Sequence, residues 1–255
     1  MPTIHPTAAV GFEDAASRYG SGRPDYPAAL DGWLREAVGL RPSTMVVDLG
    51  AGTGKFTPRL ASTGARIVAV EPVAAMRAEF ARRFPAVDLR EGTAEAIPLP
   101  DGSADAVVAA QAFHWFATPA AVAEIRRVLR PGGRLGLVWN VRDETVPWVA
   151  RLTAIMTPYE GDAPRFHTGA WRAPFPAPGF GPLEEMWFPH GHTGPAERVI
   201  VDRILSVSFV AALPAETRAD VARAVRAVIA ETPDLAGRPE VTFPYRTIAC
   251  VVRKM

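Results

Sequence analysis

Apolar and polar positions along the chain follow two alternating patterns. Short, nearly continuous apolar runs are typical of strands buried on both faces of a sheet. In the first part of the chain they predict strands over residues 45–49, 66–70, 87–90, 104–110 and 135–140. Apolar residues at helical spacing predict helices over residues 12–19, 27–38, 73–84 and 119–129, and one beginning near residue 55. Further on, the same criteria predict a strand over 183–191, helices over 196–212 and 215–231, and a last strand over 241–252.

This alternation predicts an α/β fold built on a doubly wound, mainly parallel sheet of seven strands. We divide the chain into an N-terminal segment with a helix (1–40), a ligand-binding core (41–142), an insertion (143–181) and a C-terminal part that completes the sheet (182–255). The insertion is rich in proline and aromatic residues and interrupts the alternation. We expect it to form a partly helical lid above the strand ends. An ordinary surface insertion is the alternative.

A glycine-rich loop follows the first predicted strand, with Gly50, Gly52 and Gly54 at alternate positions. A strand that leads into a helix through glycines brings the backbone close to a ligand and directs free N–H groups at it. The loop therefore predicts a nucleotide-type site. A phosphate-binding P-loop is excluded, because Phe56 stands where that motif needs serine or threonine. A dinucleotide fingerprint is disfavoured, because its third glycine is replaced by a larger residue in either register.

An acidic residue ends the second predicted strand. Glu71, followed by Pro72, lies one strand after the glycine loop. Ligands of an open parallel sheet sit at the carboxyl ends of its strands. A carboxylate at that position can accept hydrogen bonds from both ribose hydroxyls of a nucleoside. The two features together favour a nucleoside-containing cofactor over a solvated surface glutamate.

Several stretches resemble one family of enzymes. The glycine loop with Asp48 ahead of it resembles motif I of the class I S-adenosylmethionine (SAM) dependent methyltransferases. The Phe-His-Trp sequence at residues 113–115 is similar to that of small-molecule methyltransferases related to the trans-aconitate and ubiquinone/menaquinone enzymes. The Leu-Arg-Pro-Gly-Gly sequence at 129–133, which predicts a sharp turn over 130–134, is also frequent there. The resemblance implies SAM as the cofactor and a last strand that is antiparallel to its neighbours.

The resemblance also implies which residues contact the cofactor. A Tyr-x-x-x-Arg-Pro stretch before the core resembles a segment that folds over cofactor and substrate in some relatives. Thr93 stands where many relatives carry aspartate, which weakens the expected contact with the adenine amino group. Met76 is expected near the adenine, with core packing as the alternative. The full set of expected cofactor residues is Tyr19, Arg23, Gly50, Ala51, Gly52, Gly54, Glu71, Pro72, Met76, Thr93, Ala94 and Gln111.

The expected substrate pocket contains His114, Trp115 and Trp139. His114 is the candidate catalytic residue, either as a general base or as a group that positions the acceptor. A base is needed only if the methyl acceptor is protonated when it binds, as for an alcohol, phenol or ring carbon, and not for a carboxylate. We expect a small-molecule acceptor, either a carboxylic acid or a natural-product intermediate.

Composition narrows the remaining choices. The chain is 48% hydrophobic and 22% charged with a net charge of +1, as in an ordinary soluble protein, so we expect neither nucleic acid nor membrane as a partner. Cys250 is the only cysteine, and neither an export signal nor an apolar run of ~20 residues is present. We therefore expect a cytoplasmic monomer or homodimer without a metal site.

Two other functions remain open at this stage. A non-catalytic SAM-binding protein would carry the same loop, since a fold does not imply turnover. An oxidoreductase that uses nicotinamide adenine dinucleotide (NAD) is less favoured by the missing third glycine. Methylation of nucleic acid is also disfavoured, because the Asn-Pro-Pro-Tyr-type motif of amino-group methylating enzymes is absent at residues 111–115.

Overall fold

One seven-stranded sheet organises the molecule. The structure, a computed structural model, describes residues 23–161 and 164–255. The strands are β1 (Met45–Leu49), β2 (Arg66–Val70), β3 (Asp88–Arg90), β4 (Ala104–Ala110), β5 (Leu129–Arg142), β6 (Glu184–Gly194) and β7 (Val241–Arg253). Their order across the sheet is β3-β2-β1-β4-β5-β7-β6. The helix predicted over 12–19 and the candidate residue Tyr19 lie outside the described residues.

The strand directions confirm the predicted fold class. β1 pairs in parallel with β2 on one side and with β4 on the other. β5 lies parallel beside β4, while β7 runs antiparallel to both β5 and β6, as the resemblance implied. The chain thus winds outward in both directions from β1. In such sheets ligands bind at the switch point, outside the carboxyl ends of the strands. Here the switch point lies between the neighbouring strands β1 and β4.

Helices cover both faces of this sheet. They are α1 (Leu30–Glu36), α2 (Thr57–Ala61), α3 (Ala74–Arg83), α4 (Pro119–Val128), α5 (Pro147–Met156), α6 (Arg203–Leu205), α7 (Ser208–Ala211) and α8 (Ala215–Glu231). Short 3₁₀ turns occupy Phe113–Trp115, Thr157–Tyr159 and Ala170–Arg172. Among the described helices, none has the length and the apolar character needed to cross a membrane.

Successive side chains of β1 enter two different cores. Val47 and Leu49 pack in the core on one face of the sheet, and Val46 packs with Leu30 and Trp33 of α1 in the core on the other. Neighbouring side chains of a strand point to opposite faces. A strand covered on both faces therefore needs apolar residues at nearly every position, which explains the continuous runs in the sequence.

The turn predicted over 130–134 belongs to a strand in the structure, which is a correction. The Gly132 N–H donates to the Lys254 carbonyl at 3.1 Å, and the Lys254 N–H donates to the Gly133 carbonyl at 2.8 Å. The last residues of the chain thus take up the hydrogen bonds of this segment. β5 accordingly begins at Leu129, with an irregular register opposite Ala104.

The helix predicted over 196–212 is also corrected, because it is broken. It begins as a π-helical segment, Glu197–Asp202, continues as α6 and ends before Ser206, after which α7 begins. Val199, Ile200 and Val201 are all fully buried. Three consecutive buried residues show that this segment is enclosed on several sides, so it does not present the single apolar stripe of a surface helix.

The insertion at 143–181 contributes to the hydrophobic cores. Trp148 of α5 packs against Phe243 of β7, with ring centroids 5.2 Å apart. Trp171 is 1% exposed and packs 4.5 Å from Trp139 of β5. These aromatic residues therefore stabilise the insertion against the sheet. Closure of the insertion over the strand ends stays a prediction.

Candidate active site

The glycine loop lies at the switch point, directly after β1. Gly50, Gly52 and Gly54 all have positive φ, at 68°, 58° and 78°. A Cβ on Gly54 would lie 2.4 Å from the ring of Phe84, and one on Gly50 would lie 2.8 Å from the Cβ of Ala112. The loop can take this shape and pack this closely only because these residues lack side chains.

Glu71 ties the end of β2 to this loop. One carboxylate oxygen accepts a hydrogen bond from the Gly52 N–H at 2.8 Å, and the other accepts from the Val73 N–H at 2.9 Å. The side chain is buried, and burial is the main reason that its pKa lies above the usual range. Each oxygen keeps a further lone pair, so the carboxylate remains able to accept from ligand hydroxyls.

Asp48 is a functional candidate that the sequence analysis used only as part of a motif. It is 1% exposed, and its carboxylate accepts a hydrogen bond from the Thr57 hydroxyl at 2.9 Å. Burial raises the pKa of Asp48 to about 7; the bond from Thr57 opposes this rise and the charge of Glu71 adds to it. The sequence does contain a signal for Asp48, namely an acidic residue inside an apolar run. Burying an acid is costly, so such a residue is expected to have a functional or structural reason.

The cavity above the loop, which we call the cofactor cavity, collects most of the predicted residues. It is lined by Arg23, Gly50, Ala51, Gly52, Glu71, Pro72, Met76, Thr93, Ala94 and Gln111. Gly54 does not line it: a Cβ on this glycine would meet Phe80 and Phe84 behind the loop. The structure therefore shows close packing at Gly54, and its contact with a cofactor stays a prediction. Asp48 and four residues outside the predicted set also line the cavity, namely Tyr26, Phe116, Asn140 and Arg203.

An extended segment at residues 23–26, the strap, lies beside the cofactor cavity. Asp25 forms an ion pair with Lys55 at 3.2 Å, and its carbonyl accepts from the Asn140 amide at 2.9 Å and from His190 Nε2 at 2.6 Å. Arg23 donates to the Ser206 carbonyl at 2.9 Å. The strap is thus attached to the glycine loop, to the central sheet and to the C-terminal part.

A second cavity, which we call the acceptor chamber, adjoins the first. Both are lined by Arg23, Gln111, Trp115, Asn140 and Arg203. Gln111 has a φ of 55°, a left-handed conformation that is uncommon outside glycine and concentrates at functional sites. Its amide donates to the Asn140 carbonyl at 2.9 Å. The carboxyl ends of β4 and β5 therefore meet where the two cavities join.

His114 lines the acceptor chamber and not the cofactor cavity. Its Nδ1 lies 3.1 Å from Nε1 of Trp139. An indole N–H can only donate, so Nδ1 is the acceptor and the proton of the neutral ring is on Nε2. Burial, followed by the charges of Arg165 and Arg23, lowers the pKa of His114 to about 3. The ring is therefore neutral near pH 7 and presents a donor.

Trp139 is a correction to the expected substrate pocket. Its side chain is completely buried and lines neither of the two cavities. It packs against Phe166 and Trp171, which also stack on each other, on the core face of the sheet. The pleat of β5 directs this side chain into the core, where it orients His114 from behind. Trp115, by contrast, lines both cavities.

The described residues contain no group of three or more His, Cys, Asp and Glu side chains that could hold a metal ion. A doubly wound sheet with a glycine loop and a strand-end carboxylate at its switch point defines a nucleotide-cofactor protein. A second cavity adjoins this one. The combination is typical of enzymes that use a nucleoside cofactor.

Comparison with known proteins defines the family. The profile of a methyltransferase domain matches residues 47–137. The chain is 39% identical over 239 residues to an uncharacterized methyltransferase-like protein of Schizosaccharomyces pombe, covering 93% of each chain. It is also 39% identical over 242 residues to an uncharacterized methyltransferase of Mycobacterium tuberculosis, covering 95% of this chain and 94% of the relative. A solved structure from Anaeromyxobacter dehalogenans, provisionally assigned as a type II methyltransferase, superimposes with a TM-score of 0.61 at 30% identity and covers 91% of this chain and 96% of its own.

The chain therefore belongs to the class I SAM-dependent methyltransferase family. The oxidoreductase alternative is not retained. In this chain Thr57, at one of the positions where a dinucleotide fingerprint would need glycine, uses its hydroxyl to bind Asp48. The glycine loop lies within the segment that matches the methyltransferase domain.

Proposed function

We propose that this enzyme transfers the methyl group of SAM, held in the cofactor cavity, to a small molecule held in the acceptor chamber. The observation that carries the proposal is the junction of the two cavities at Gln111, Trp115 and Asn140. A donor and an acceptor bound on either side of it would meet there. The acceptor class that we favour is a carboxylic acid or a natural-product intermediate.

The residues of the cofactor cavity fit SAM in their chemistry. Glu71 would accept from the ribose hydroxyls through its remaining lone pairs, and the backbone of Gly50, Ala51 and Gly52 would approach the ligand closely. The Thr93 hydroxyl is buried, and among the described residues it has no hydrogen-bond partner. A buried polar group of this kind needs a partner, which the adenine ring can supply. Met76 and Ala94 would pack against the same ring.

The reaction needs little from the protein beyond alignment and exclusion of water. Bound SAM supplies a methyl carbon made electrophilic by its sulfonium, which a nucleophile can attack in line. His114 offers a neutral donor at Nε2, while Trp139 occupies its Nδ1 lone pair. This supports a role in positioning the acceptor rather than in removing a proton. It fits an acceptor that binds already deprotonated.

The choice of a small acceptor rests on charge and enclosure. The net charge of +1 gives no field that would draw nucleic acid, and the acceptor chamber lies between the sheet and residues 153–160, 165–167 and 203–209. A cytoplasmic location and a monomeric or homodimeric state stay predictions from the sequence.

The test is transfer of labelled methyl groups. Purified protein is incubated with methyl-labelled SAM and, separately, with small carboxylic acids, phenols, a metabolite extract, and nucleic acid. We expect label to enter a small molecule, with heat-denatured protein as the control. Label that enters only nucleic acid, or SAM binding without transfer to any of these acceptors, would contradict the proposal.

A further inference from the structure

The acceptor chamber has an unusual charge distribution. Its ionised side chains are Arg23, Arg142, Arg165, Arg203, Glu144 and Glu160. Its two histidines, His114 and His167, add no charge in their neutral forms. The lining therefore carries four guanidinium groups against two carboxylates, in a chain whose overall net charge is only +1. The excess of positive charge is local to this chamber.

The two carboxylates are engaged elsewhere in the chamber. Glu160 pairs with Arg165, with the Arg165 Nε and the carboxylate oxygen 3.1 Å apart. Glu144 accepts a hydrogen bond from the Thr153 hydroxyl at 2.8 Å. Neither carboxylate lies within ion-pair distance of Arg142 or Arg203.

Arg142 and Arg203 lack acidic partners within the part of the chain that the structure describes. Arg203 is 9% exposed, and its Nε and Nη1 are buried without a hydrogen-bond partner among those residues. The Nε of Arg142 is also buried without a hydrogen-bond partner among the described residues. Burial, and next the charge of Arg203, lower the pKa of Arg142 to about 10, while Tyr245, Glu144 and Glu160 oppose this shift from a distance, so Arg142 remains charged near neutral pH. Buried charges without partners are costly, so an anion bound to these two groups would offset part of that cost.

Two different elements bring these side chains to the same chamber. Arg203 follows the π-helical segment Glu197–Asp202 and opens the three-residue helix α6. π-helical turns are rare in proteins, and those that occur are often found at functional sites. Arg142 is the last residue of β5, at the carboxyl end of the strand that borders the chamber. Arg203 lines both cavities, whereas Arg142 lines only the acceptor chamber.

We propose that Arg142 and Arg203 form an oxyanion subsite that binds a carboxylate or phosphate group of the methyl acceptor. Planar guanidinium groups match the oxygens of carboxylate and phosphate and donate two hydrogen bonds at once. The inference rests on the proposed function and narrows its substrate class to acidic small molecules. It excludes a neutral phenol or quinol as the natural acceptor, because such a molecule would leave both guanidinium groups uncompensated.

The first test measures anion binding to the protein saturated with S-adenosylhomocysteine (SAH). Succinate and inorganic phosphate are titrated at low ionic strength by calorimetry, with succinamide as the neutral analogue of succinate. We expect one of the two anions to bind and succinamide not to bind. Succinate binding would identify a carboxylate acceptor, and phosphate binding a phosphorylated one. Absence of binding of both anions at millimolar concentration would overturn the proposal.

The second test replaces the arginines singly. Arg142→Gln and Arg203→Gln should each weaken binding of the anion by about 10-fold to 100-fold, the effect of losing a hydrogen bond to a charged group. Arg142→Gln should leave SAH affinity unchanged, because Arg142 does not line the cofactor cavity. The matched control is Arg223→Gln, which removes the same charge from the exposed surface of α8. Equal anion affinity in Arg142→Gln, Arg203→Gln and the control would overturn the subsite.

A third readout separates ligand binding from a structural role. Without ligand, the Tm of Arg142→Gln should equal or exceed that of the wild type, because the substitution removes a buried charge that lacks a partner. A lower Tm with unchanged anion affinity would assign Arg142 a structural role and contradict the proposal. If SAH binds but no anion does, the subsite alone fails. If SAH does not bind, the proposed function fails, and anion titration of the ligand-free protein still decides the subsite.

Discussion

Glu71 is expected both to bind the cofactor and to stabilise the glycine loop, and the two roles can be measured separately. Its carboxylate holds the N–H groups of Gly52 and Val73, and it faces the cofactor cavity. Glu71→Ala should weaken SAM binding by about 1–3 kcal/mol, the range for a hydrogen bond to a charged group or for a stranded partner. It should also lower the free energy of unfolding of the ligand-free protein by a similar amount, since two backbone donors lose their acceptor. Calorimetry and urea unfolding measure the two effects.

The control for Glu71 is Glu36→Ala, because Glu36 is an exposed residue of α1 that forms no ion pair with the other described residues. That variant should match the wild type in both measurements to within ~0.5 kcal/mol. A Glu71→Ala protein with unchanged SAM affinity would show that the ribose contact is misassigned.

His114 should act by positioning the acceptor. His114→Gln should raise KM for the acceptor with little change in kcat, the signature of a lost binding contact. The pH dependence of the rate around 6.5, the ordinary histidine value, should be the same in the wild type and in His114→Gln, because the pKa of His114 is about 3. A loss of ~10²–10⁴ in kcat with normal KM would identify His114 as a general base instead.

Trp139 provides a test of which ring nitrogen of His114 carries the proton. Trp139→Phe removes the N–H that holds Nδ1 as an acceptor, so it should raise KM as His114→Gln does. Trp171→Phe is the matched control, because Trp171 is equally buried beside Trp139 and has no hydrogen bond to His114 among the described contacts. Equal KM in the two Phe variants would contradict the orienting role.

At the scale of elements, β1 carries an acid where a buried strand ordinarily carries apolar residues. The pKa of Asp48 is raised from 3.8 to about 7, so the folded state binds a proton more tightly than the unfolded state. Its contribution to stability is therefore present at low pH and is lost as the pH rises from about 4 to about 7. The loss amounts to at most about 4 kcal/mol.

Asp48→Asn should remove this dependence while keeping an oxygen that can accept from Thr57. We expect the stability of the ligand-free wild type to fall relative to the variant between pH 4 and pH 7, as measured by urea unfolding. Titrating groups that do not interact with Asp48 are common to both proteins and cancel in the comparison. Parallel stability curves over that range would show that Asp48 is not buried as an acid.

The sequence could predict β1 and β4 to the residue because both are covered on two faces, which forces unbroken apolar runs. It could not predict the break in the helix at 196–212, because the hydrophobic pattern does not distinguish an enclosed π-helical segment from a longer regular helix. Residues 130–134 were misassigned for a related reason. Their hydrogen-bond partner is Lys254, more than a hundred residues away.

The same limit applies to the site at the scale of the whole molecule. Local motifs are sufficient to predict the glycine loop and Glu71, since a strand, a loop and a helix adjacent in sequence build that part. The acceptor chamber combines Arg142, Arg165 and Arg203 from separate segments, and no spacing in the sequence relates them. Trp139 was expected in the substrate pocket because of its place near the end of β5, but Trp171 of the insertion packs against its side chain. Only long-range packing determines these positions.

The proposed function requires the reacting methyl group to lie where the two cavities join. The most direct measurement is a crystal structure of the protein with SAH bound. We predict the ribose hydroxyls on Glu71, the adenine beside Thr93, and the sulfur at the junction between Gln111 and Asn140, facing the acceptor chamber. A sulfur directed away from that chamber, or a ribose without contact to Glu71, would contradict the account.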